Sequence, residues 1–254
     1  MDILSALFRW LHIFAGIVWI GMLYFFNFVN GPFQGTLDGD TKKKVNPELL
    51  PRALWWFRWG AAWTWFTGVL LLLLVFYHGG LMFDGDGKWG AGAVVMALAV
   101  LVAPFVYDAL HKSPLGKDPK VFGGVSFALL LGVAAAMHFW GGFSYRALNI
   151  HLASLLGTIM AFNVWFRIWP AQRTIVTAVK AGTPPDPALV AFAGARSRHN
   201  VYMSVPLVWG MVNQHTTTVA LPGQLGFATF LVVVLVGWHI VWQLYKKAPS
   251  VKGF

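Results

Sequence analysis

Four histidines lie inside apolar stretches of the chain, where an ionisable side chain is unusual. They are His12, His138, His151 and His239. Ionisable groups within a bilayer are costly and usually face the interior of a helix bundle, where they mark a ligand, a pathway or a cofactor. A neutral imidazole can ligate iron, so we predict that these four are candidate axial ligands of haem iron. The alternative is that each makes only a hydrogen bond between helices.

The first of these histidines belongs to a stripe of residues with helical spacing. The stripe consists of His12, Gly16, Trp19, Leu23, Asn27 and Asn30. Glycine one turn after a histidine ligand would leave room for a flat macrocycle against the backbone, and Arg9 could pair with a haem propionate. Gly16 could equally allow two membrane helices to pack closely. The spacing alone leaves both interpretations of Gly16 open.

The elements that position these residues are predicted to be transmembrane helices. Hydrophobic residues make up 57% of the 254 residues and charged residues only 11%, which is far from the composition of a soluble domain. A spanning helix needs about 20 apolar residues. Candidate spans lie near residues 3–27, 53–77, 90–110, 120–141, 147–169, 200–214 and 225–245. We therefore predict an all-α integral membrane protein, a bundle of about seven transmembrane helices or eight, in a single domain over residues 1–254.

The basic residues predict how this bundle is oriented. Fourteen of the nineteen Lys and Arg lie in the loops 31–52, 111–120 and 170–199 and in the tail from residue 246. Because cytoplasmic loops are enriched in positive charge, the N-terminus is predicted outside and the C-terminus in the cytoplasm. The net charge of +10 is spread over short loops rather than gathered on one face, so we predict a lipid bilayer and no nucleic acid as partner.

This topology places the histidines by depth. His12, His138 and His151 fall in the outer half of the membrane, and His239 lies deeper, toward the cytoplasm. Haem b between helices takes an axial ligand on each face of the iron. His12 lies at a depth that would allow it to share one haem with His138 or with His151. His239 could ligate a second, deeper haem.

Other metal chemistry is less compatible with the composition. The chain has no cysteine, so the C-x-x-C-H attachment of c-type haem is excluded and haem b would be held non-covalently. Nearly all of the nine Asp and Glu residues lie in predicted loops, with Asp108 the nearest exception. This scarcity of membrane carboxylates disfavours both a metal site without haem and an ion-coupled transporter.

Tryptophans line one face of the second predicted helix. Trp55, Trp59 and Trp63 follow helical spacing, and Arg58 lies beside them. Tryptophan is enriched at membrane interfaces, so we favour an interfacial belt combined with core packing. A stacking wall for a planar ligand is the functional alternative.

Three stretches of the chain resemble the membrane domain of bacterial cytochrome c-linked urate oxidase, also called urate hydroxylase. They are LHIFAGIVWIGMLYFFNFVNGPFQ, FRIWPAQR and SRHNVYMSVPLVWGMVNQH, and the likeness runs from the first helix to the last. The opening LH...W.G pattern is also similar to the first helix of other small membrane haem b proteins, in which that histidine is an axial ligand. By this resemblance, His12 is the residue to carry over as ligand.

The resemblance implies a reaction, a location and partners. Urate would undergo a two-electron oxidation in which water supplies the hydroxyl of 5-hydroxyisourate, and the electrons would pass to a cytochrome c. Arg9, Asn213 and His215, at the predicted outer face, are candidate contacts for this planar anion. Members of the family typically continue into one more helix and a cytochrome c domain, whereas this chain ends at YKKAPSVKGF. We therefore expect a separate periplasmic or membrane-bound cytochrome c, and a place in the bacterial cytoplasmic membrane.

Two other functions stay open from the sequence. One is a non-catalytic subunit of a respiratory complex, which relays electrons through haem b or docks other membrane subunits. The other is a small-solute transporter, which the scarcity of membrane carboxylates disfavours. A haem spectrum and an assay of urate turnover would distinguish these functions from the oxidoreductase.

Overall fold

The computed structural model describes residues 2–213, 216–221 and 223–251. No β-strand occurs among these residues, and nearly all of them are helical. The α-helices are α1 (Asp2–Tyr24), α2 (Gly31–Thr36), α3 (Gly39–Leu71), α4 (Ala91–Lys112), α5 (Pro119–Phe139), α6 (Tyr145–Asn163), α7 (Trp169–Lys180), α8 (Pro187–Val212) and α9 (Thr229–Lys247). π-Helical segments extend α1, α3 and α6 over Phe25–Asn30, Leu72–His78 and Val164–Ile168.

Six helical rods are long and apolar enough to cross a membrane. They are Ile3–Thr36, Gly39–His78, Ala91–Lys112, Pro119–Phe139, Tyr145–Lys180 and Leu225–Ser250. The remaining predicted span lies in α8, which has 26 residues but carries Arg196 and Arg198 in its first half. The chain is therefore an all-α, multi-pass membrane protein, as predicted. The outside position of the N-terminus stays a prediction.

Two segments that connect predicted membrane spans are largely helical, and for 170–199 the Ala-rich stretch had indicated one surface helix. The predicted loop 31–52 contains α2 and the first turns of α3, and the predicted loop 170–199 contains most of α7 and the start of α8. Asp38 begins α3 as its cap, because its carboxylate accepts hydrogen bonds from the Thr41 amide and hydroxyl, both at 2.8 Å. These bonds hold the pKa of the Asp38 carboxyl below its ordinary value. The Asp38 cap therefore begins α3 well before its apolar segment.

The described chain forms two compact units. The His12 unit consists of Asp2–Gly68, Met160–Tyr202 and residues 238–251, and the His151 unit consists of Val69–Ile159 and Met203–Gly237. The division falls within long helices rather than at linkers, so it does not contradict the predicted single domain, which stays a prediction.

The rod Tyr145–Lys180 is the most buried of the six, with 83% of its most apolar 18-residue stretch inside the protein. Small residues allow this burial: a Cβ atom at Gly210 of α8 would lie only 2.6 Å from the Cβ of Ala153 on α6. Ser144 begins α6, because its hydroxyl accepts from the Ala147 amide at 3.1 Å and donates to the Leu81 carbonyl at 3.0 Å. The start of α6, which carries His151 two turns later, is thereby held against the segment before α4.

Candidate functional site

His12 on α1 contacts the middle of α3. Its Nδ1 lies 2.9 Å from the Thr64 carbonyl oxygen and 3.2 Å from the Thr67 hydroxyl oxygen. A carbonyl oxygen can only accept, so Nδ1 carries the proton and donates to Thr64. Nε2 then keeps its lone pair, and in the described part of the chain it makes no hydrogen bond. A neutral imidazole whose other nitrogen is bound to a backbone carbonyl is the usual state of a metal-ligating histidine.

Small residues on α3 allow α1 to approach this closely. Gly60, Thr64 and Gly68 recur every four residues and face α1. A Cβ atom at Gly60 would lie 3.0 Å from the Trp19 backbone nitrogen, and one at Gly68 would lie 3.0 Å from the His12 Cε1 atom. This is the pattern of closely packed membrane helices. It is a signal in the sequence that could have identified α3 as the partner of the His12 stripe.

The same interface bears on the two interpretations of Gly16. A Cβ atom there would lie 3.8 Å from the Thr64 methyl carbon, at ordinary van der Waals distance. Further along the stripe, Trp19 and Leu23 are buried, at 2% and 0% exposure. The predicted stripe is thus a packing surface, and the contact at Gly16 supports close helix packing. The proposed haem contact at Gly16 stays a prediction.

His151 has a different environment, in the His151 unit. Its side chain is fully buried, and Nδ1 donates to the Ala147 carbonyl at 2.6 Å. Nε2 therefore accepts from the Tyr77 hydroxyl at 3.0 Å, and the two rings stack with their centroids 5.6 Å apart. Both nitrogens are engaged, so a ligand role for His151 would require the Tyr77 hydroxyl to turn away. Its assignment as a haem ligand stays a prediction.

The other two candidate ligands, His138 in the last turn of α5 and His239 in the middle of α9, each contact an aromatic ring. His138, in the last turn of α5, stacks on Phe227 with the ring centroids 5.7 Å apart. His239 lies on the exposed face of α9, where Gln243 donates to its Nε2 at 3.2 Å. The buried stripe of α9 runs through Gly237 and Val241, on the side opposite His239. The ligand roles of both stay predictions.

The predicted substrate contacts are only partly described. Arg9 is exposed on α1, one turn before His12. Asn213 follows α8, and its backbone N–H donates to the Trp209 carbonyl at 2.8 Å. His215 lies outside the described residues. Arg9 and Asn213 belong to different units, and their contacts with a substrate stay predictions.

A buried polar cluster in the His12 unit was not foreseen. Arg196, Asn163 and Asn200 are each 0% exposed. The Arg196 guanidinium donates to Asn163 Oδ1 at 3.2 Å, Asn163 donates to Asn200 Oδ1 at 2.9 Å, and Asn200 donates to the Met160 carbonyl at 3.1 Å. The cluster joins α6 to α8 through these hydrogen bonds. Sequence analysis missed it because Arg196 was placed in a cytoplasmic loop.

Next to this cluster, the side chain of Asn27 links three helical segments. Its Nδ2 donates to the Ser197 hydroxyl at 2.8 Å, and its Oδ1 accepts from the Tyr245 hydroxyl at 2.9 Å. Asn27 lies in the π-helical segment after α1, and such segments are frequent at functional sites. The polar end of the predicted α1 stripe therefore connects α1 with α8 and α9.

Together, these contacts define what the site could hold. Within the described residues, no three His, Asp or Glu side chains are grouped in a way that would bind a bare metal ion. Haem needs only one imidazole on each face of its iron, and the tautomer of His12, set by the Thr64 carbonyl, is compatible with such a ligand.

Comparison with known proteins agrees with the resemblance noted in the sequence. The sequence model of the family described as Urate oxidase N-terminal matches residues 1–250. No curated protein and no solved structure gives a significant match. The match covers both units and every helix named above, including the His12 site and the buried Arg196 cluster. The chain therefore belongs to the urate oxidase N-terminal family.

Proposed function

We propose that this membrane protein oxidises urate, or a similar small planar reductant, and passes the electrons to a cytochrome c. The observation that carries the proposal is the family match over residues 1–250. In the reaction, urate and water give 5-hydroxyisourate, two protons and two electrons, and two cytochrome c molecules are reduced. The water oxygen forms the new C–O bond, so molecular oxygen is not consumed.

We further propose that His12 is an axial ligand of haem b. The free lone pair on its Nε2 and the hydrogen bond from Nδ1 to the Thr64 carbonyl support this assignment. Haem b would supply one-electron transfer between the two-electron reductant and the one-electron acceptor. His138 and His151 stay predicted haem ligands, although Tyr77 engages the Nε2 of His151, and His239 stays the predicted ligand of a second haem.

The residues around His12 have defined tasks in this proposal. The Thr64 carbonyl holds the imidazole in one tautomer and increases its basicity as a ligand, as a hydrogen-bonded partner usually does. Thr67 adds a contact at 3.2 Å that restricts rotation of the ring. Gly68 leaves room for the imidazole against α3. Arg9, one turn away and exposed, is available to bind a propionate or the urate anion.

The cofactor is tested by absorbance spectra of the full chain purified in mild detergent. We expect a b-type difference spectrum between the reduced and oxidised protein, lost or strongly changed in His12→Ala. His78→Ala is the matched control, because His78 is an exposed histidine at the end of a membrane rod. An unchanged spectrum in His12→Ala would show that His12 is not a ligand, and a haem-free wild-type protein would remove haem b from the proposal.

The reaction is tested separately in proteoliposomes supplied with urate and oxidised cytochrome c. We expect urate-dependent reduction of two cytochrome c molecules per urate consumed, without oxygen uptake. Bound haem that urate does not reduce would contradict the catalytic proposal. Copurification with other respiratory subunits would then favour the electron-relay or docking role.

A further inference from the structure

Arg58 lies on α3, within the second rod that is long and apolar enough to span a membrane. Its guanidinium carbon is 4.0 Å from the centroid of the Trp169 ring and 5.6 Å from that of Trp165. The Trp165 indole N–H donates to the Arg58 carbonyl at 2.9 Å, which ties α3 to the π-helical segment before α7. Trp59 meets Trp165 edge to face, with the centroids 5.3 Å apart. The Arg58 side chain is therefore packed against tryptophan rings.

The charge of Arg58 has no anionic partner among the described residues. The ion pairs there are Lys43–Asp40, Arg52–Glu48 and Lys112–Asp108. The Nε atom of Arg58 is buried and makes no hydrogen bond. A guanidinium has five N–H donors, and a cation in a membrane span is normally paired. Stacking on tryptophan compensates only part of the desolvation, so the site lacks an acceptor.

The position of Arg58 along α3 indicates where that acceptor would be. Arg58 follows Arg52 by six residues, about 9 Å along the helix axis. Arg52 is exposed and belongs to the basic segment predicted on the cytoplasmic side. Trp55 and Trp56, between the two arginines, are 46% and 56% exposed. Exposed tryptophans beside basic residues are typical of the headgroup layer of a bilayer.

A second basic side chain lies on the neighbouring helix. Arg173 is exposed on α7, one turn after Trp169, and thus continues the side of α7 that meets Arg58. The nearest acidic residue on α3, Glu48, is already paired with Arg52 at 2.7 Å. The surface formed by Arg58, Trp59, Trp165, Trp169 and Arg173, here called the Arg58 cluster, therefore carries net positive charge.

We propose that the Arg58 cluster binds the phosphate of an anionic phospholipid in the cytoplasmic leaflet. A phosphate accepts paired hydrogen bonds from a guanidinium, and the stack on Trp169 orients that guanidinium. The acyl chains would cover the exposed tryptophans next to it. Basic pockets between membrane helices are recognised sites for anionic headgroups. The site is independent of haem and of urate.

The test measures which lipids the full-length protein retains. The protein is equilibrated with equal amounts of phosphatidylglycerol and phosphatidylcholine in detergent, and bound lipids are counted by native mass spectrometry. We expect wild-type protein to retain phosphatidylglycerol preferentially. Arg58→Gln should reduce that preference about tenfold, as expected for loss of a charge-assisted hydrogen bond. Arg52→Gln, which removes an exposed arginine already paired with Glu48, should leave it unchanged.

Three outcomes would overturn the proposal. They are a wild-type protein without preference for phosphatidylglycerol, an Arg58→Gln variant with the wild-type preference, and equal losses in Arg52→Gln and Arg58→Gln. Displacement of the lipid by millimolar inorganic phosphate would identify a soluble phosphate as the ligand instead. If Arg58→Gln does not fold, Arg58→Lys provides the comparison: it keeps the charge but loses the planar stack, and we expect an intermediate preference.

Discussion

His12 and His151 differ in the nitrogen that is left available. Each donates through Nδ1 to a backbone carbonyl, that of Thr64 in the first case and of Ala147 in the second. The Nε2 atom of His151 accepts from Tyr77, whereas that of His12 makes no hydrogen bond with a described residue. Both histidines occur in apolar helices. His12 is nevertheless a candidate ligand, whereas His151 forms a hydrogen-bonded pair with Tyr77.

The contribution of the Tyr77–His151 hydrogen bond to stability can be tested by removing the Tyr77 hydroxyl. Tyr77→Phe keeps the ring stack but leaves the Nε2 of a fully buried imidazole without a donor. We expect the free energy of unfolding in mixed micelles to fall by about 1–3 kcal/mol. Tyr202→Phe is the control, because the Tyr202 hydroxyl donates no hydrogen bond in the described part of the chain. Equal effects of the two substitutions would show that the pair does not stabilise the protein.

At the scale of elements, the contact between α1 and α3 depends on small residues. The backbone of Trp19 lies against Gly60, and the imidazole of His12 lies against Gly68, two turns further along α3. Hydrophobicity does not drive association between helices in lipid, so such close packing supplies the attraction directly. It also brings the Thr64 carbonyl within hydrogen-bonding distance of His12. Helix packing and the orientation of the candidate ligand thus have the same cause.

Gly60→Ala tests this interface. The added methyl would lie 3.0 Å from a backbone nitrogen of Trp19, which can move only if the helices separate. We expect a loss of about 1–3 kcal/mol in unfolding free energy, the usual effect of overpacking. Gly132→Ala on α5 is the matched control, since its methyl would meet no atom within 4 Å. If Gly60→Ala is as stable as Gly132→Ala, the close approach of α1 and α3 is not as described.

For the whole molecule, the property that most affects function is its orientation in the membrane. The alternation of basic loops predicts an external N-terminus and a cytoplasmic C-terminus. In that predicted orientation, Arg9 and Asn213 would lie near the outer face, where the proposed cytochrome c would be accessible. The Arg58 cluster would then lie on the cytoplasmic side, where anionic lipids are enriched.

The orientation can be measured by labelling single cysteines, because the natural chain contains none. Asp86→Cys, in the exposed segment before α4, should react with a membrane-impermeant maleimide in intact spheroplasts. Thr183→Cys, in the exposed turn after α7, should react only after permeabilisation. Both residues are exposed in the structure, so accessibility differs only by membrane side. The reverse pattern would invert the topology and place the His12 site in the cytoplasmic half.

The amino-acid sequence by itself determined the class of the protein, most of its membrane spans and its family. These follow from local properties: composition, the length of apolar runs, the stripe on α1, and short motifs that resemble the family whose sequence model matches residues 1–250. Helix ends were less predictable, because the Asp38 cap and the polar start of α8 extend helices into segments that read as loops.

Only the tertiary structure decided what each polar side chain does. The partner of His12 is 52 residues away on α3, and that of Asn163 is 37 residues away on α8. Rotation of α9 about its axis turns His239 outward, although its sequence context resembles that of His12. Hydrogen bonds in a membrane bundle form between helices, so they depend on how the helices rotate and pack. That information is spread over distant segments and is not contained in any single apolar stretch.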